Sequence, residues 1–160
     1  MRTLFVVTLL AAGCGGSMLS ERIADYRGTT NSLNLVVDTH ASSPAASAPA
    51  TCASAMADYA QKAGALVDRM QSMSGGMDQC MSSLGRTDRA DLAAGCAAIR
   101  VELDAHAQHG CSASDLPAEM ARHAAAMKGH TSQEMDRMGE MESMGNGMGP
   151  SMMSGLQGCR

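Results

Sequence analysis

The side chains best suited to chemistry in this 160-residue chain are two Glu–His pairs and a run of methionines. Glu102 and His106 lie four apart, as do Glu119 and His123, and residues at that spacing share one face of a helix. Folding the chain back about Ser112–Ala113 brings Glu102 level with His123 and His106 level with Glu119. The second of these helices also carries Met120, Met127, His130, Met135, Met138, Met141 and Met144. Imidazole, carboxylate and thioether groups on one hairpin predict a metal site. Its candidate ligands are His106, His123, His130, Met120, Met127, Met135, Met138, Met141 and Met144. Thioethers are soft donors that suit Cu(I) and Ag(I). From Met135 to Met144 the methionines advance by three each time, so they are expected to wind around the helix instead of holding a core seam. The competing account makes Glu102–His123 and His106–Glu119 plain interhelical pairs, worth about 1 kcal/mol or less if exposed. In that account the methionines are adaptable core filler.

Other chemistries find less support. Di-iron bundles use Glu-x-x-His with further glutamates, whereas here the spacing is Glu-x-x-x-His and the other helical seams offer no glutamate. There is no CxxCH for haem attachment, and aromatics are only 2% of the chain, too few to line a haem pocket. No nucleophile has an adjacent base, and no phosphate loop is present, so the chain is not read as an enzyme. The net charge of −4 is spread without a basic block, which with so few aromatics argues against nucleic acid.

The N-terminus has Arg2, an apolar run Leu4–Ala12, and the junction Leu10-Ala11-Ala12-Gly13-Cys14. This is a secretion signal, too short to span a bilayer, and it resembles the lipobox of bacterial lipoproteins. The resemblance implies cleavage before Cys14, acylation of that residue, and attachment to a membrane of the cell envelope. Gly15 stands where an Asp would favour inner-membrane retention, which implies the outer membrane, facing the periplasm. That compartment is oxidising, so the remaining five cysteines are expected to pair. Cys80 and Cys96 flank the turn at Gly85–Asp88 and form the first predicted disulfide. Cys52 and Cys111 form the second, which needs a break at Gly75–Gly76 or a long turn to bring them together. Cys159 is left over. The methionine spacing over Met120–Met153 resembles the Met-rich segments of bacterial periplasmic copper-handling proteins.

The elements that must position these groups are helices. Ala, Met and Leu dominate, with 16 methionines in all, and the expected fold is an all-α antiparallel bundle of three to four helices. Residues 1–13 are the signal peptide. Residues 14–50 hold the anchor, a first helix over Ser17–His40 and a Pro/Ala linker. Residues 51–144 form the bundle core, and 145–160 a disordered Met/Gly-rich tail. The first helix has the seam Ile23, Tyr26, Thr30, Leu33, Val37, His40. The second, Cys52–Leu84, has the seam Cys52, Met56, Tyr59, Ala63, Leu66, Met70, Met73, Met77, Cys80, Leu84, with a kink or a break expected at Ser74–Gly76. The third, Arg89–His109, is expected to be capped by Thr87 or Asp88 and ended by Gly110. The fourth is capped by Ser114 or Asp115. Two functions compete: an envelope lipoprotein that binds Cu(I) or Ag(I) for buffering or resistance, and a structural lipoprotein that meets a protein partner in the envelope.

Overall fold

Periodic seams of buried residues draw the helices into a four-cornered bundle. The computed structural model describes residues 14–83, 91–111 and 115–147, without the side chains of 14–18, 80–81, 83 and 144–147. Outside the described residues lie the signal, the expected caps Thr87, Asp88 and Ser114, and Cys159. The tail beyond 147 and the side chains of Cys14, Cys80 and Met144 are outside them too. The elements are α1 (Cys14–Ala41), α2 (Pro44–Ser47), α3 (Pro49–Ser83), α4 (Leu92–His109) and α5 (Leu116–Gly147). The fold is all-α. Helix α1 packs on α3 and α5, and α4 packs on the same two from the opposite corner. Tyr26 meets Glu134, Asn34 meets Thr131, and Asp38 meets Lys128. Those rungs run in opposite directions along α1 and α5, as in an up-down-up-down bundle.

Every residue of the expected α1 seam is buried, from Ile23 to His40, and so is the α4 seam Leu92, Cys96, Ile99, Leu103, His106. Helix α4 starts where Asp91 accepts from Ala94 N at 2.8 Å. The Asp78 carboxylate of α3 adds a second cap, accepting from Leu92 N and Ala93 N. The helix stops at Gly110, whose φ of +75° suits a residue without Cβ. The Pro/Ala linker is not loose: Pro44 opens the single-turn α2, and Ala46 is fully buried.

Three expectations are corrected. Helix α3 does not break at Ser74–Gly76 but runs unbroken from Pro49 to Ser83. Each glycine costs about 1 kcal/mol relative to Ala. Met70 and Met77 on either side are fully buried, each contributing about 1.5–3 kcal/mol, and that outweighs the cost. Gly76 also has a packing reason, since a Cβ there would come within 2.6 Å of Arg22 Nη1 on α1. Second, α5 continues to Gly147, three residues past the point where the tail was expected to begin.

Third, Met138 and Met141 do not turn away from a core seam. Met138 and Met141 belong to the main apolar core. They continue a buried strip of Met127, Thr131, Glu134, Met138 and Met141, whose steps alternate four and three. Thr131 and Glu134 are polar, and this hides the seam in the sequence.

Candidate metal centre

Three histidines and a tyrosine come together in the bundle end formed by the C-termini of α1 and α4 and the N-termini of α3 and α5. The expected register is made. His123 Nδ1 lies 2.9 Å from Glu102 Oε1, and His106 Nδ1 lies 3.3 Å from Glu119 Oε1. Arg122 ties the two carboxylates together, donating to Glu119 at 2.7 and 2.8 Å and lying 3.3 Å from Glu102. The two imidazole rings are fully buried and stacked, with centroids 3.8 Å apart and planes 6° from parallel.

Two residues from other helices complete the cluster. His40 Nε2 lies 3.2 Å from His106 Nε2, and Tyr59 Oη lies 2.7 Å from His123 Nε2. His40 and Tyr59 stack on each other at 4.0 Å. The hydrogen-bond pattern assigns the tautomers. His106 and His123 donate through Nδ1–H to their carboxylates, so each Nε2 is an acceptor. His40 Nε2–H and the Tyr59 hydroxyl then donate to those two nitrogens. Every bond in the chain is satisfied with all three imidazoles neutral.

Burial sets the electrostatics. It pushes His40 down to about 4, with the neighbouring His106 adding to the shift. Burial also lowers His106 and His123, against the opposing pull of their carboxylates. Hydrogen bonds from Arg122 hold Glu119 down at about 2. The cluster is not sealed. A cavity of 280 Å³ opens on His40 and Tyr59, with Leu35, Val36 and Ala55 on its walls. The Asp58–Lys62 ion pair, 2.7 Å long, also lines it.

Of the expected ligands, His106 and His123 are brought face to face. Met120 and Met127 are buried on the same helix, His130 is half-buried beside the seam position held by Thr131, and Met135 is half-buried. Met138 and Met141 lie 15 and 18 residues beyond His123, about 22 and 27 Å along the helix axis, and cannot share its site. Tyr59 and His40 are the residues that sequence reasoning left out of the centre. Both stood on predicted seams, and a seam polar residue near a helix end was the available signal. Among the described residues, no three His, Cys, Asp or Glu side chains form a ready metal-ligating group; the histidines bond to one another and to Tyr59 instead.

The cysteines also depart from expectation. Cys96 is not cross-linked to Cys80; it is a free, buried thiol. It faces inward on the α4 seam, 3.2 Å from the Tyr26 hydroxyl, which also donates to the buried Glu134 at 2.5 Å. Its thiol is taken up by the bundle interior, among the core residues and against the Tyr26 hydroxyl. Cys52 and Cys111 are joined by a disulfide without any break in α3, with Cα atoms 5.7 Å apart. Their reach comes from the chain past Gly110, which carries Cys111 back over the start of α3, against Met56 and Leu116. No protein-family model, no curated protein and no solved structure matches this chain.

Proposed function

We propose that this chain is a lipid-anchored, non-enzymatic helical bundle of the cell envelope that binds a metal ion for buffering or resistance. The N-terminal junction at Cys14 supports attachment to the outer membrane, facing the periplasm. One observation carries the metal reading. His106 and His123 are buried side by side, and each turns its Nδ1–H to a carboxylate of its own. This is how proteins orient metal-binding imidazoles and raise their basicity. The same pairing leaves each Nε2 with its lone pair, which accepts from His40 or Tyr59 and ligates an ion once that hydrogen is displaced. The burial of Met120, Met127, Met138 and Met141 moves the weight of the reading from thioethers to imidazoles. Cu(I) and Ag(I) remain candidate ions, joined by the other ions that imidazole suits.

The test is metal competition against a chromophoric chelator, using Cu(I), Ag(I), Cu(II) and Zn(II) in turn. His106→Ala and His123→Ala are expected to abolish binding. Glu119→Gln is expected to weaken it about 10–100-fold. Met138→Leu with Met141→Leu keeps the core volume and is expected to leave binding unchanged. A structural lipoprotein that meets an envelope partner is the second reading. It is favoured by the complete satisfaction of the cluster's hydrogen bonds without any ion. If the wild-type protein binds none of the four ions, that reading takes over.

A further inference from the structure

We propose that His40 Nε2, His106 Nε2, His123 Nε2 and Tyr59 Oη together form one ligand set for a single divalent ion of the Cu(II) or Zn(II) class. The proposal rests on the metal-binding reading above and names its site and its ion.

Distances make the first argument. Metal–nitrogen bonds of 2.0–2.1 Å in a tetrahedral site place neighbouring donor atoms roughly 3.3 Å apart. The donors here are spaced 3.2 Å from His40 to His106 and 2.7 Å from His123 to Tyr59, with the rings of His106 and His123 stacked at 3.8 Å. The two donor–donor spacings, 3.2 and 2.7 Å, are within several tenths of an ångström of the tetrahedral edge, and the 3.8 Å stacking of the central rings holds the two donor pairs beside each other. Stacking aligns the two central lone pairs side by side instead of at a common point. Tilting those rings apart while their Nδ1–H groups stay on Glu102 and Glu119 makes them converge. His40 must also shift its hydrogen from Nε2 to Nδ1, a tautomer change that leaves its charge unaltered.

Charge makes the second argument. Glu102, Glu119 and Arg122 leave the cluster with one net negative charge. A divalent ion with Tyr59 as phenolate brings the whole to neutrality, and the phenol proton leaves to solvent through the cavity beside Tyr59. A monovalent ion reaches neutrality with Tyr59 still protonated, so phenolate ligation separates the two ion classes. Donor type makes the third. The donors in mutual contact are three nitrogens and an oxygen, with no sulfur, which is a borderline set and not a soft one. The cavity lined by His40, Tyr59 and Asp58 supplies the way in.

The experiment titrates Cu(II) and Zn(II) into the full mature chain, with Cu(I) and Ag(I) in parallel. It follows stoichiometry, the visible absorption of the Cu(II) form, and helix content. One Cu(II) per chain is expected, with a phenolate-to-copper charge-transfer band. Tyr59→Phe is expected to remove that band while copper still binds, at least 10-fold more weakly. His40→Ala is expected to lower affinity at least 10-fold, and His40→Gln serves as a second variant should the alanine form lose helix content. If Cu(I) or Ag(I) binds but Cu(II) and Zn(II) do not, this inference fails and the broader metal reading stands. It fails equally if Tyr59→Phe and both His40 variants bind Cu(II) like wild type. Absence of binding by all four ions removes both.

Discussion

At the scale of single residues, glycines show how tightly the bundle is built. A Cβ on Gly95 of α4 would run into the Glu134 carboxylate and the Arg137 guanidinium of α5. Glu134 is fully buried and held by Tyr26 and Arg137, so it has nowhere to move. Gly75, by contrast, is exposed, helical and free of neighbours within 4 Å. Gly95→Ala is therefore expected to destabilise the protein by about 1–3 kcal/mol through overpacking. Gly75→Ala should stabilise it by up to about 1 kcal/mol. Urea unfolding of the two variants measures both, and a loss of stability in Gly75→Ala would show that α3 needs the glycine for a bend. The sequence pattern predicts a kink or a break at Gly75 and Gly76 and marks nothing at Gly95. What a glycine accommodates lies on another helix, and local pattern carries no trace of it.

At the scale of elements, the Cys52–Cys111 disulfide ties the start of α3 to the chain leaving α4. It closes a loop with a sequence separation of 59, worth about 4 kcal/mol in the chain-entropy model. The bridge lies at the histidine end of the bundle, so its loss should loosen the frame around His106 and His123. Urea unfolding with and without reductant is expected to show a loss on that scale, and Cys52→Ala with Cys111→Ala should reproduce it. Cys96→Ala removes no cross-link, so adding reductant to that variant should cost as much as it costs wild type. A reductant effect that vanished in Cys96→Ala would place the cross-link elsewhere.

The molecule as a whole carries several buried groups whose protonation opposes the fold. His40 is held down at about 4 by burial, and His106 and His123 shift the same way. The unfolded chain binds protons near the ordinary histidine value of about 6.5, while the folded chain refuses them. Stability from these groups is therefore complete above about pH 6.5 and falls as pH drops towards 4, by on the order of 3 kcal/mol for His40 alone. Glu119 acts at lower pH: held at about 2 by Arg122, it loses its contribution as pH falls from the ordinary carboxylate range to that value. Glu134, raised by burial, works in the opposite sense and favours the fold at low pH. Urea midpoints of the metal-free protein between pH 7.5 and pH 4 are expected to fall steadily. A flat profile across that window would contradict the burial of the histidines.

The sequence by itself determined the helices and most of their inward faces. An Ile–Tyr–Thr–Leu–Val–His seam in α1 and a Leu–Cys–Ile–Leu–His seam in α4 repeat at helical spacing, and burial of one face is local enough to read. It also determined the register of the α4–α5 hairpin, because a short connection leaves only one way to set Glu102 against His123 and Glu119 against His106. Tertiary structure alone decided the rest. Whether Met138 and Met141 are ligands or core depends on α1 and α4 lying over a strip interrupted by Thr131 and Glu134. Which cysteines bond depends on where the chain past Gly110 returns. The fourfold convergence of His40, Tyr59, His106 and His123 draws one residue from each of four helices, separated by up to 83 positions. No periodicity within one helix encodes which polar residues of the others will end at the same height. That is settled when the four apolar faces close on a common axis.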